Sequence, residues 1–487
     1  MLSFLIFFPL ISALAMLLAR SHAKQVAFIA ALLEFVATIW VLGNFRASGG
    51  LQLEENYWWV NTLGISYHVG VDGISLLLVL LTNFLVPLII LSSFGQSYKK
   101  PGLFYFLILV MQMALVGVFV ARDGFLFYVF WELALIPIYL ICLVWGGKNS
   151  ARITLRFFIY TLFGSLLMLV ALIWLYLQTP APHSFDLKEL YGLHLTMAQQ
   201  SWIFWALFLA FAIKMPVFPF HSWQPDTYTD APTPGTMLLS GIMLKMGIYG
   251  VIRWLLPIVP GALPAWGPVA IALSVIGIVY ASLIAFAQKD FKRLLAYSSI
   301  AHVGLISAGI FSLTIQGIQG GVIQMISHGV NVVALFFIAE ILFRRAQTNN
   351  MDNLGGIRTV APAFATLFMI FLLASIALPL TNGFIGEFLL LNGLFQISHV
   401  WAAIGGLTII FGAVYMLRAY QKIALGEGNP RTLTFRDLSF SEKTVLIPLL
   451  LVVFWIGIYP KPLLDLVEPS VITLRDTILG VSSMVSR

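Results

Sequence analysis

Four charged side chains and two histidines stand inside stretches that are otherwise apolar. Glu132 is centred in Phe127-Tyr-Val-Phe-Trp-Glu132-Leu-Ala-Leu-Ile-Pro137. Lys214 is followed at once by two prolines, in Lys214-Met-Pro216-Val-Phe-Pro219-Phe-His221. Lys245 lies in Met237-Leu-Leu-Ser-Gly-Ile-Met-Leu-Lys245-Met-Gly, and Glu387 follows Leu378-Pro379-Leu-Thr-Asn382-Gly383-Phe-Ile-Gly386. His302 and His328 occupy two further apolar runs. An ionised side chain at the centre of a bilayer costs about 2.5–3.5 kcal/mol. Four of them facing lipid would cost about 10 kcal/mol, as much as a whole fold is stable by. They must therefore face protein or water, and either pair or titrate. Desolvation favours the neutral form of a lysine or a glutamate, and an opposite charge favours the ionised form. A buried Lys–Glu pair is then a switch: paired, the lysine keeps its proton; separated, it releases it. The chemistry such residues can do is proton transfer.

Other ionisable residues carry blander readings. Glu340 precedes Arg344 and Arg345 and reads as a structural ion-pair partner. A lone membrane histidine is as well suited to hydrogen-bonded packing as to a relay, so both roles stand open for His302 and His328. Asp72, in Gly70-Val-Asp72-Gly-Ile-Ser75, reads as a helix N-cap. His221, Asp226 and Asp230 flank a proline-rich loop, where capping or pairing and proton access are equally open. The single cysteine, Cys142, excludes a disulfide framework and a cysteine-ligated iron–sulfur cluster within the chain.

The elements that position these residues follow from composition. Of 487 residues 60% are hydrophobic and 10% charged, against about 25% charged in a soluble domain. Backbone in lipid must satisfy its own hydrogen bonds, in helices or a closed barrel. The apolar runs are about 20 residues long, which selects helices. The expected spans are 2–19, 26–45, 73–94, 103–121, 124–145, 153–177, 199–220, 233–254, 267–287, 293–312, 317–342, 361–397 (broken), 399–420 and 444–460. The first lacks a basic leader and a small-residue cleavage site and reads as a retained helix. Pro462 to Arg487 mixes apolar and charged residues and is expected at the membrane interface.

Charge supports this parse. Connections after odd-numbered spans, from Arg20 and Lys24 to Lys443, hold 17 lysines and arginines; those after even-numbered spans hold four, Arg46, Arg122, Lys188 and Arg253. The positive-inside rule then puts both termini on the outer side. The same loop positives account for the net charge of +7. Prolines interrupt spans seven and twelve, and such breaks survive at membrane depth only within protein or beside a wet cavity. Two breaks five spans apart indicate a repeat, and Arg122-Asp123 before span five answers Lys289-Asp290 before span ten. An odd five-span repeat is inverted. The expected fold class is thus an all-α polytopic membrane protein of about 14 transmembrane helices with broken helices 7 and 12. Its expected division is 1–102 (helices 1–3), 103–258 (first repeat, helices 4–8), 259–424 (second repeat, helices 9–13) and 425–487 (helix 14 and the interfacial segment).

These motifs together resemble a known family. Lys214 to Gly235 followed by Leu244-Lys245-Met-Gly-Ile-Tyr-Gly250 is similar to the antiporter-like proton-translocating subunits of respiratory complex I. Tyr67-His-Val-Gly-Val-Asp-Gly-Ile-Ser75, Phe130 to Pro137 and Asp290-Phe-Lys-Arg-Leu-Leu-Ala-Tyr-Ser-Ser-Ile-Ala-His302 resemble its M-type (chain 4) members. The resemblance implies proton pumping driven by NADH:quinone oxidoreduction in partner subunits, which would carry FMN and iron–sulfur clusters, with no cofactor in this chain. It implies an inner (plasma) membrane location beside neighbouring antiporter-like subunits. It also implies a gate between Glu132 and Lys214, a central Lys245, relay histidines His302 and His328, and a distal Glu387. Two departures stand out: Gln224 replaces an expected aliphatic residue, and Asp226-Thr227-Tyr228 lacks a histidine often found there. The access loop is then wired differently. The alternatives are a D-type subunit of a multisubunit sodium/proton antiporter, a stand-alone secondary transporter, and a haem b subunit with His302 and His328 as axial ligands.

Overall fold

The structure, a computed structural model, describes residues 1–16 and 22–485, with side chains to residue 480. Arg20 and the end of the first expected span lie outside the described residues. Two N-terminal helices, α1 (Leu2–Met16) and α2 (Ala23–Asn44), precede an antiparallel hairpin, β1 (Gln52–Val60) and β2 (Ile65–Val71). Then come α3 (Gly73–Ser92), α4 (Pro101–Val120), α5 (Gly124–Trp145), α6 (Ser150–Gln178) and a short α7 (Leu187–Tyr191). The first broken span is α8 (Met197–Lys214) with α9 (Gln224–Asp230); α10 (Thr233–Leu238) and α11 (Leu244–Gly250) form the next span with π turns. There follow α12 (Leu263–Ala287), α13 (Phe291–Phe311), α14 (Ile315–Ala346) and a short α15 (Ile357–Val360). The second broken span is α16 (Pro362–Ser375) with α17 (Asn382–Ile397), and α18 (His399–Ala424), α19 (Phe440–Ile458) and α20 (Lys461–Val485) complete the chain.

Among the described residues, eleven continuous helices are long and apolar enough to cross a membrane. With α1 and the two broken spans they make the fourteen expected. The hairpin was not expected: Asn61 to Gly64 closes it as a 3-10 turn with Gly64 in the left-handed region; β1 is aromatic, charged and mostly exposed, and β2 is short and nearly all buried.

The loops sort onto two faces. On the hairpin face, β2 bridges Ala121, and Asp123 bridges Asp186. On the opposite face Asp290 bridges Asn350. Asp123 and Asp290, the two aspartates matched in the sequence, play the same local part. Asp123 accepts from Phe125 N and Leu126 N to start α5, and Asp290 accepts from Arg293 N to start α13. Helix α20 is amphipathic, burying Leu463, Val467, Val471, Leu474 and Ile478 at helical spacing. It lies across the hairpin-side starts of two spans: Ser470 Oγ accepts from Gly73 N at α3, and Gln319 of α14 donates to Leu464 O.

Candidate functional site

Proline chemistry makes the first break. Pro216 has no N–H to offer, so Val217 N donates to Ala212 O and the Trp223 indole N–H donates to Ile213 O at 2.9 Å. The helix stops at Lys214, whose side chain is 3% exposed. The second break is made likewise by Pro379: Leu378 N reaches back to Leu373 O, and Ala377 and Leu380 take positive φ. The restart of α17 is pressed against the end of α16, and a Cβ on Gly383 would stand 2.2 Å from Ala374 O. Asn382 and Ser327 exchange side chain-to-backbone bonds, tying this restart to α14.

Between the breaks, α11 is flanked by π turns at Leu239–Met243 and Val251–Leu255. Such turns widen a helix and leave carbonyls free of the regular ladder. Ser240 O is used this way, accepting from Lys245 Nζ at 2.6 Å. Glycines let α11 approach α8 closely: a Cβ on Gly247 would meet Phe211 O at 2.7 Å.

From Lys245 a polar line runs into the second half of the chain. Lys245 is fully buried, and its Nζ is 2.9 Å from His328 Nδ1. His328 Nε2 is 3.2 Å from Ser299 Oγ. The His328 and His302 rings are 5.9 Å apart, and His302 Nδ1 is 2.9 Å from Glu387 Oε1, which also accepts from Gln324 Nε2 at 3.1 Å. Beside the two histidines is a cavity of about 20 Å³, lined by Ser298, Ser299, Gln324 and Asn331 among others. That is room for one water among polar walls. Four of the six singled-out residues are thus brought together: Lys245, His328, His302 and Glu387.

The other two are placed near each other but do not pair. Lys214 Nζ and Glu132 Oε1 are both without a hydrogen-bond partner, and no ion pair within 4 Å joins them. The expected Glu132–Lys214 pair is corrected in this respect. The side chain of α5 in contact with the lysine is that of Trp131, one residue before Glu132 and about 100° round the helix from it. Lys214 Nζ stands 5.4 Å from the Trp131 ring centroid, in cation–π range. Phe211 packs on the same indole.

The remaining expectations divide. Asp72 caps α3 in a reciprocal box with Ser75, as its position suggests, and it also binds Arg253 and stands 3.6 Å from Arg122. Burial opposes its charge, and the two guanidiniums outweigh burial, holding the carboxyl below the ordinary aspartate range. Asp226 pairs with Arg156 at 3.3 Å and Arg293 at 2.8 Å, a structural clamp on the face opposite the hairpin. His221 is buried against Tyr280. Glu340 is not the main partner of the arginines after it: Arg344 and Arg345 bind Glu442 of α19 at 2.7 and 2.5 Å. Glu340 is held instead by Gln96 and by Thr233 Oγ1, with Arg344 Nε at 3.9 Å. At i+4 and i+5 the arginines project past Glu340 towards the chain packed beyond α14.

Sequence reasoning missed three polar groups. Ser299 and Gln324 join the line, and their signal was spacing: Ser299 precedes His302 by three residues and Gln324 precedes His328 by four, each on one helix face. Glu34, fully buried in the middle of α2 beside Asn83 and Gln112, was passed over.

The comparisons with known proteins bear on this geometry. A family described as "NADH:quinone oxidoreductase/Mrp antiporter, TM" matches residues 121–412, the stretch that contains all six residues. The chain belongs to this family. Within the family it is similar to NADH-quinone oxidoreductase subunit M of Rickettsia conorii, 43% identical over 96% of this chain and 97% of that protein. Subunit M of Rhodobacter capsulatus is 39% identical over 97% of this chain and 95% of its own length. Among solved structures, a chain of respiratory complex I from Thermus thermophilus superposes with a TM-score of 0.91 at 31% identity, covering 98% of this chain and all of that one. A chain of the Mrp complex from Dietzia shares the fold, with a TM-score of 0.84 at 19% identity. The fold class and the M-type resemblance read from the motifs are those of these relatives.

Proposed function

We propose that this chain is a proton-translocating membrane subunit of an NADH:quinone oxidoreductase and that Lys245, His328, Ser299, His302 and Glu387 form its central proton line. The hydrogen-bonded Lys245–His328 contact carries this reading. A protonated Lys245 donates to His328 Nδ1, which fixes the imidazole hydrogen on Nε2, facing Ser299. Transfer from Nζ to Nδ1 with loss of the Nε2 proton towards Ser299 moves one proton on and leaves the imidazole neutral with its hydrogen on Nδ1; a ring flip or tautomer exchange that returns the hydrogen to Nε2 resets it for the next proton. Glu387, reached through His302, receives it. Glu132 and Lys214 serve as the gate, which opens and closes as the distance between them changes. Moving one charge against 100 mV costs about 2.3 kcal/mol. The driving force comes from partner subunits carrying FMN and iron–sulfur clusters, and this chain holds no redox centre of its own. The two repeats, 103–258 and 259–424, each supply one break. The hairpin face is the outer side, both termini lie there, and the membrane is the cell's inner (plasma) membrane.

The sodium/proton antiporter alternative rests on likeness to the Mrp chain at an identity that speaks for fold alone. The haem alternative fails on space: the two imidazoles are committed to Lys245 and Glu387, and no macrocycle fits a cavity of about 20 Å³ between them. The experiment is proton pumping by the assembled complex in vesicles. Lys245→Ala is expected to abolish or strongly reduce pumping and leave NADH:artificial-acceptor activity largely intact; normal pumping would overturn the reading.

A further inference from the structure

The two departures in the access loop lie at a junction that the proposed line does not use. On α13, Lys292, Ala296 and Ser299 follow at i, i+4 and i+7 along one face; on α14, Val332, Phe336 and Glu340 follow at i, i+4 and i+8. One end of this double ridge is an ionisable cluster on the inner face. Lys292, 7% exposed, donates to Ala231 O at 2.7 Å, with Glu340, Asp290 and Asp230 as its acidic surroundings. Glu340 is anchored two residues along by Thr233. The other end is the cavity beside His328, whose walls include Ser299, Val332 and Leu295, the last only one turn from Lys292.

Gln224 and Tyr228 fill the middle. Both are completely buried. Gln224 Nε2 points at Ala296 O, 3.5 Å away, and the Tyr228 ring lies edge-on to Phe336 at 6.0 Å. The Tyr228 hydroxyl lies beside the Gln224 side chain. Neither the hydroxyl nor Gln224 Oε1 has a settled partner. Leaving such a group unsatisfied costs about 1–3 kcal/mol, and an aliphatic residue with a phenylalanine would pack the same space without that cost. A hydroxyl both donates and accepts, so Tyr228 can pass one proton on while taking up another, with no net charge formed on it.

We propose that Lys292, Glu340 and Tyr228, with Gln224 positioning the tyrosine hydroxyl, form a second proton intake that leads from the inner face to Ser299 and His328 without passing Lys214. It rests on the proton-translocation reading above and assigns that reading a route of its own. The test is the number of protons pumped per NADH by the reconstituted complex, with NADH:artificial-acceptor activity as the check on assembly. Tyr228→Phe keeps the packing and removes the hydroxyl; Tyr228→His keeps a proton carrier and changes the packing. Tyr228→Phe and Gln224→Leu are expected to lower the ratio at least about twofold, as loss of a transfer group should, and Tyr228→His to retain it. A wild-type ratio in Tyr228→Phe and Gln224→Leu, or an equal fall in Tyr228→Phe and Tyr228→His, would overturn the intake. Should Tyr228→Phe fail to assemble, Gln224→Leu alone decides by the same ratio. Glu387→Gln, beyond the point where the two routes join, is run in parallel and separates the two claims: if it still pumps, the underlying reading has failed; if it is dead while the loop variants pump fully, only the intake has.

Discussion

Lys245 Nζ stands 2.9 Å from His328 Nδ1, with Ser240 O as its second partner, so the central lysine is turned into the second half of the chain. No bond joins it to Lys214 among the described residues. The contact makes His328 the first group past the lysine. His328→Ala should therefore reduce pumping by about 10²–10⁴-fold, the usual effect of losing a positioned acid–base group. NADH:artificial-acceptor activity should stay near wild type. Pumping and acceptor reduction measured on one preparation check this, and an unchanged pumping rate would remove His328 from the line.

The second break depends on a glycine with no space to spare. Gly383→Ala puts a methyl 2.2 Å from Ala374 O, which is backbone and cannot rotate away. Overpacking of this kind costs about 1–3 kcal/mol. The start of α17 would have to move, taking Glu387 from His302. The expected result is a lowered thermal midpoint of the assembled complex together with lost pumping. Gly406→Ala on α18, where a Cβ meets nothing within 4 Å, should change neither.

His68, on β2, contacts Glu54 at 2.8 Å and Asp186 at 2.5 Å, one carboxylate on each ring nitrogen. Burial works against its charge, but Asp186 and then Glu54 outweigh burial and hold its pKa above the ordinary histidine value. The sign follows. A group with a raised folded pKa stabilises fully below its unfolded value, about 6.5, and that stability is lost as pH rises through the folded value. Hydrogen exchange in the hairpin, corrected for the intrinsic rate, should therefore accelerate as pH rises above neutrality. His68→Gln should flatten that dependence; the same acceleration in the variant would show that another group is responsible.

The spans, the two breaks and the six residues were legible because each is a contrast: a charge in an apolar run, or a proline in a helix. What was not legible depends on direction. Glu132 and Trp131 are neighbours in sequence, and only the helix phase says which faces Lys214. Glu340 and Arg344 have the spacing of a helical pair, yet Glu442, about a hundred residues away, draws the arginine closer. Glu34 carried the same contrast as Lys245 and was overlooked; its neighbours Asn83 and Gln112 come from other helices, and nothing local announces them. The hairpin shows no apolar alternation, because β1 is exposed along most of its length and β2 is buried along nearly all of its own.

Helix α20 bears on the order of events during synthesis. It leaves the ribosome after every span, yet its Ser470 takes the first amide of α3, 397 positions earlier. The contact between the earliest bundle and the last helix is thus a seam sewn at the end. Until then the start of α3 keeps an amide without its native acceptor, and the unfinished chain must wait, inserted but not locked, for its final turns.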